Sequence, residues 1–188
     1  MTNSKSNGPV IIDGWLTVAE QCPSPNFNLR PQNTDVSLLV IHNISLPPGE
    51  FGGGFVQQFF QNKLDANLHP YFSTIADLKV SAHLFIERDG NVTQFVPFNA
   101  RAWHAGNSSF ADRADCNDYS IGIELEGADD IPYTDAQYVA LEKVSRQLLL
   151  TYPKLTPERI TGHSDIAPGR KTDPGPAFDW QRYRNALR

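Results

Sequence analysis

The stretch Gly162 to Gly175, GHSDIAPGRKTDPG, gathers a histidine, two aspartates, an arginine and a lysine among glycines and prolines, where no regular helix or strand can run. Pro168, Gly169, Pro174 and Gly175 set turns but leave the segment few backbone hydrogen bonds of its own. A metal ion would supply the missing cross-link. His163 offers an imidazole and Asp173 a carboxylate. His42 adds a second imidazole if its strand lies beside the one that delivers His163. Two histidines and one carboxylate leave one tetrahedral position of zinc open to water, the arrangement of catalytic rather than structural sites. Ligands so far apart in sequence match no local zinc pattern, so surface aspartate and core histidine remain the ordinary alternative.

Hydrolytic chemistry at such a centre also needs a group that carries protons. In YSIGIELEG (119–127), Ile121, Ile123 and Leu125 alternate with Gly122, Glu124 and Glu126, so one face of a strand is core and the other is acidic. Alternation puts both carboxylates on the same side and cannot choose between them. Either can serve as a general base, and both can equally be solvated or cap an edge.

The elements that must position these groups are readable in outline. SLLVIHNI (37–44) is a nearly continuous apolar run ended by LPPGE, which predicts a central strand covered on both faces with His42 at its downstream end. FVQQFFQNKL (55–64) spaces its aromatics as a short amphipathic helix, and HPYFSTIADL reads as a surface loop. SAHLFIERDGNVTQFVPF predicts two strands around Asp89-Gly90, a dipeptide suited to a tight hairpin. Thr134 and Gln137 have capping-box form, and the apolar steps Tyr138, Leu141, Val144 and Leu148 continue to Pro153, which predicts a helix. ERITGHS (158–164) predicts a short strand delivering His163, and FDWQRYRNAL (178–187) a final helix. Residues 63–78 lack clear periodicity and are expected to cover a pocket as a mobile segment. With no repeat or long linker, 188 residues predict a single α/β domain over 1–188, a central mixed β-sheet flanked by helices, with residues 1–13 as a loose lead.

Composition narrows the partners. Sixteen Lys plus Arg against twenty-one Asp plus Glu give a net charge of -5, the wrong sign for a general grip on nucleic acid or anionic lipid. No run approaches the ~20 apolar residues of a membrane span, and the opening residues lack a signal-peptide core. Cys22 and Cys116 suggest neither a disulfide scaffold nor a redox pair. A cytoplasmic, reduced protein is expected.

The segments LLVIHNISLPPGEFGG, VSAHLFIERDG, RAWHAGNSSF, CNDYSIGIELEG, YTDAQY and GHSDIAPGRKTDPGPAFDW together resemble the zinc-dependent N-acetylmuramyl-L-alanine amidases, specifically the cytoplasmic AmpD type acting on 1,6-anhydro-muropeptides. The likeness runs in order from about Gly14 to the C-terminus. It implies the fold of phage amidases and peptidoglycan recognition proteins, with one Zn2+ on His42, His163 and Asp173. It selects Glu124 as the base and makes Lys171 a stabiliser of the oxyanion formed when the muramyl-L-alanine amide is attacked.

Other positions fit substrate binding. Arg170 suits bidentate capture of a peptide-stem carboxylate by an otherwise acidic protein. Trp103 can press its ring on sugar or peptide, although most tryptophans are core. Asn43 can read an acetamido or peptide group, although Asn at a strand end is commonly a turn former. Tyr71 is a weaker candidate of the same kind. His83 reads as structural and His104 as a residue that lines the pocket. Two rival functions stand beside recycling hydrolysis: a muropeptide-binding module without catalysis, and an envelope amidase acting on intact peptidoglycan.

Overall fold

A computed structural model describes residues 9–188. Four short strands come first: β1 (Ile11–Ile12), β2 (Trp15–Leu16), β3 (Glu20–Gln21) and β4 (Phe27–Leu29). The long strand β5 (Leu38–Ile44) leads into helices α1 (Phe55–Phe60) and α2 (Phe72–Ile75). A hairpin of β6 (Leu84–Ile86) and β7 (Val92–Gln94) follows, then β8 (Ala100–Ala102), β9 (Ser109–Phe110) and β10 (Arg113–Ala114). The second long strand, β11 (Ser120–Glu126), precedes α3 (Asp135–Thr151), β12 (Ile160–Gly162), α4 (His163–Ile166) and α5 (Trp180–Ala186).

The main sheet has six strands in the order β12-β5-β11-β6-β7-β3. β12, β5, β11 and β6 run parallel, β7 returns antiparallel to β6, and β3 lies parallel to β7. This is the expected mixed sheet of a single α/β domain. Its centre is β5 beside β11. All seven residues of β11 are buried, as are the first five of β5, because both faces are covered.

Alternation assigns the faces. Leu39, Ile41, Ile121, Ile123 and Leu125 join the apolar stripe of α3 and Tyr183 of α5 in one core cluster. Burial of each such side chain stabilises by about 1.5–3 kcal/mol. The opposite face carries Leu38, Val40 and His42 on β5 with Ser120, Gly122 and Glu124 on β11. Around it lie a smaller cluster on Leu38, Val40 and Tyr119 and an aromatic cluster on Phe59, Phe60, Phe72 and Phe95. Thr134 closes the N-terminus of α3 with the predicted capping box, in which Thr134 Oγ1 accepts from Gln137 N–H at 3.1 Å.

Four features differ from expectation. The Gly162–Gly175 segment, read as free of regular structure, opens with the single helical turn α4 (His163–Ile166). The first helix stops at Phe60 rather than running to 64, because Asn62 turns into the left-handed region at φ 60°. HPYFSTIADL is not wholly loop: Phe72 is fully buried and nucleates the turn α2. Both carboxylates of β11 are buried, whereas alternation alone allowed a solvated acidic face. Of the lead expected over 1–13, residues 1–8 lie outside the described residues. Ile11–Ile12 pair with Trp15–Leu16, whose Leu16 is fully buried.

Candidate active site

Sheet register places the principal groups. On the parallel pair β5 and β11, Glu124 lies directly across from His42, and Gly162 at the end of β12 lies across from Ile41. His163 therefore follows its strand at the level of His42. The loop after α4 brings Asp173 back, fastened to His163's neighbour where Ser164 N–H donates to Asp173 O at 3.0 Å. The carboxyl ends of parallel strands, where α/β sheets commonly seat ligands, thus carry both histidines and Glu124.

His42 Nδ1, His163 Nδ1 and Asp173 Oδ2 form a triangle with edges of 2.9, 3.1 and 3.0 Å. His163 Nε2 lies 3.2 Å from Ala105 O, a group that only accepts, so that nitrogen carries the ring proton and Nδ1 is left as a lone pair. Lone pairs and a carboxylate oxygen converging so closely repel one another unless a cation lies among them. The edges suit three donors each about 2.0–2.2 Å from one zinc ion. The residues present therefore fit the metal, and these three are the described residues able to share one.

Electrostatics agree. Burial pushes His42 down to about 4, against the opposing influence of the Asp173 carboxylate, so the ring is neutral at neutral pH as a ligand must be. Burial also works to raise Asp173, but the two imidazoles against it overcome that and hold the carboxyl well below its ordinary range.

Glu124 is buried, with Oε2 lacking any hydrogen-bond partner among the described residues. Burial, helped by the nearby Asp173 charge and opposed by Lys171, raises its pKa well above the ordinary carboxyl value. Glu126, two residues on, is satisfied: its oxygens accept from Gly52 N–H at 2.5 Å and Arg88 N–H at 3.0 Å. It anchors the glycine-rich loop after β5.

A cleft of about 540 Å³ opens beside these groups and is lined by His163, Asp173, Glu124 and Lys171 together with Asn43, Tyr71 and Trp103. Tyr71, Ile75 and Leu78 bring part of the 63–78 segment to its edge. Trp103 is held by Nε1–H donating to Asn28 Oδ1 at 2.7 Å. Asn43 Nδ2 donates to Asp129 Oδ1 at 2.9 Å and Pro174 O at 3.2 Å, which engages both amide N–H groups. Arg170 is not brought to this cleft. Its Nη2 donates to Ala105 O and Asn107 O at 2.6 and 2.7 Å, and it lines a separate cavity of about 280 Å³.

His104 lines the cleft as expected, but sequence reasoning missed that it also lies against His42, and missed Asn117, whose Oδ1 accepts from His104 N–H and Ala105 N–H at 3.1 and 2.8 Å. Gly122, a glycine inside a buried strand, was the available signal of a close approach.

The family described as N-acetylmuramoyl-L-alanine amidase matches residues 32–176, a span that contains every group of the site. The chain belongs to this amidase family. It is 55% identical over 178 residues to the 1,6-anhydro-N-acetylmuramyl-L-alanine amidase AmpD of Haemophilus influenzae, covering 95% of this chain and 97% of that protein. The crystal structure of a selenomethionine AmpD derivative superposes with a TM-score of 0.92 at 54% identity, covering 95% of this chain and 99% of that one. AmpDh3 from Pseudomonas aeruginosa, in complex with anhydromuramic pentapeptide, matches with a TM-score of 0.60 at 31% identity over 83% of this chain and 61% of that one. This amidase and those relatives thus share the fold that carries the triangle.

Proposed function

We propose that this amidase hydrolyses the amide between 1,6-anhydro-N-acetylmuramic acid and L-alanine in muropeptides, using one zinc ion held by His42, His163 and Asp173. The observation that carries the reading is the buried triangle of donor atoms at 2.9–3.1 Å beside a carboxylate with a free oxygen, open to one cleft. Similarity to AmpD amidases at 55% identity supports the substrate, as does the anhydromuramic pentapeptide bound by a structural relative.

Zinc at this site supplies Lewis acidity, which polarises a carbonyl and makes water a competent nucleophile near neutral pH. Glu124 is placed to hold the proton taken from water at Oε2 and to pass it to the leaving amine of L-alanine. Its raised pKa suits a group that must both accept and release a proton. Lys171 borders the same cleft and offers positive charge to the oxygen on which negative charge develops. Trp103 and Tyr71 present aromatic faces to sugar or peptide, and Asn43 lines the same cleft. Arg170, expected to grip a stem carboxylate, has Nη2 engaged by Ala105 O and Asn107 O.

The same reading takes the chain as one amidase domain working in cell-wall recycling in the cytoplasm. Free Cys22 and Cys116 fit a reducing compartment. No helix among the described residues is long and apolar enough to cross a membrane. Incubation with an anhydro-muropeptide followed by mass spectrometry tests the reading. Release of the free peptide and of anhydro-N-acetylmuramic acid supports it, and recovery of intact ligand contradicts it.

A further inference from the structure

Behind the metal triangle runs a chain of hydrogen-bonding groups with no assigned role. His42 Nε2 lies 2.9 Å from His104 Nδ1, and His104 Nε2 lies 3.1 Å from Ser120 Oγ. The two rings meet edge to face at 88°, with centroids 4.9 Å apart.

Two neutral arrangements of protons satisfy this chain. In one, His42 Nε2–H donates to His104 Nδ1 and His104 Nε2–H donates to Ser120 Oγ. In the other, Ser120 O–H donates to His104 Nε2, His104 Nδ1–H donates to His42 Nε2, and His42 carries its proton on Nδ1. Only the first leaves His42 Nδ1 as the lone pair a metal needs.

We propose that His104 is a positioning residue for the metal centre: it accepts the His42 Nε2 proton at Nδ1, fixing both the tautomer and the ring orientation of that ligand. The inference rests on the zinc reading above. Space for the ring is built into the central strand. A Cβ on Gly122 would lie 2.5 Å from His104 Cγ and Nδ1, closer than real side chains approach. The backbone under the ring is pinned as well, since Asn117 Oδ1 accepts from the N–H groups of both His104 and Ala105. Ala105 O in turn faces His163 Nε2 and accepts from Arg170. One segment thus braces both ligand histidines from behind, and Arg170 ties that segment down.

The test is zinc affinity by competition with a chromogenic chelator, for the full chain and its His42→Ala, His104→Phe and His104→Asn variants, with thermal unfolding of each metal-free protein alongside. Phe keeps the ring's bulk without an acceptor, while the Asn carbonyl oxygen can stand near the lost Nδ1. The expected result is one zinc per parent chain, lost in His42→Ala, weakened about 10–100-fold in His104→Phe and largely restored in His104→Asn. If the parent and His104→Phe bind zinc equally, or Asn is as weak as Phe, the positioning role is overturned while the zinc reading stands. A parent that binds no zinc overturns both. Should His104→Phe fail to fold, Ser120→Ala probes the chain from its far end: several-fold weaker zinc supports the role and unchanged affinity overturns it.

Discussion

Glu124 and Glu126 stand two residues apart on one strand and one face, both buried, yet their surroundings differ completely. Glu126 has each oxygen filled by a backbone N–H, from Gly52 and from Arg88, and so joins the glycine loop and the hairpin to the end of the sheet. Glu124 has an oxygen with no partner and faces a cleft shared with Asp173 and Lys171. A buried carboxylate that is fully bonded stabilises structure. One left short of hydrogen bonds is costly, and that cost is tolerated where chemistry needs a group able to exchange protons.

The sharpest way to break this contrast is to neutralise each group in turn. Glu124→Gln, nearly isosteric, is expected to lower kcat by about 10²–10⁴-fold, the usual worth of a general base. It should leave zinc content unchanged by metal analysis. Turnover at the parent rate would remove Glu124 from the chemistry. Glu126→Ala should act in the opposite register. It removes the shared acceptor of the Gly52 and Arg88 N–H groups from the end of the sheet and should be visible as a lowered urea midpoint. Unaltered stability would mean that the glycine loop needs no anchor.

Proton linkage sharpens the same comparison. The folded-state pKa of Glu124 is raised, so the unfolded carboxyl releases its proton first as pH rises. Any stability tied to the protonated form is present below the ordinary pKa of about 4.3 and is lost as pH rises through the folded value. Metal-free Glu124→Gln should therefore gain stability over the parent as pH climbs from 4 towards 8. A stability difference that stays constant across that range would contradict the raised value. The smallest expected effect is Thr134→Ala, which removes the capping box next to the Arg88 anchor and should cost about 1 kcal/mol in denaturant titration.

The framework was legible in the chain because local rules dictate it. SLLVIHNI read as a doubly covered strand, and the Thr134 cap with its apolar steps as a helix, and both are found. Donor types and turn residues offered the metal triad beside an ordinary alternative, and the family resemblance selected it. What stayed hidden depends on pairings distant in sequence. The register that sets Glu124 opposite His42 joins residues on different strands, and alternation could not tell the bonded carboxylate from the unbonded one. Arg170 suited a substrate carboxylate by its chemistry, but its direction is decided by carbonyls at 105 and 107. The His104 contact was marked only by the glycine that makes room for it.

The central claim is that three side chains from separate parts of the polypeptide share one ion. Anomalous diffraction at the zinc edge from crystals of the zinc-loaded protein tests it most directly. The account predicts one peak per chain, bonded to His42 Nδ1, His163 Nδ1 and Asp173 Oδ2. A peak elsewhere, or none, would contradict it.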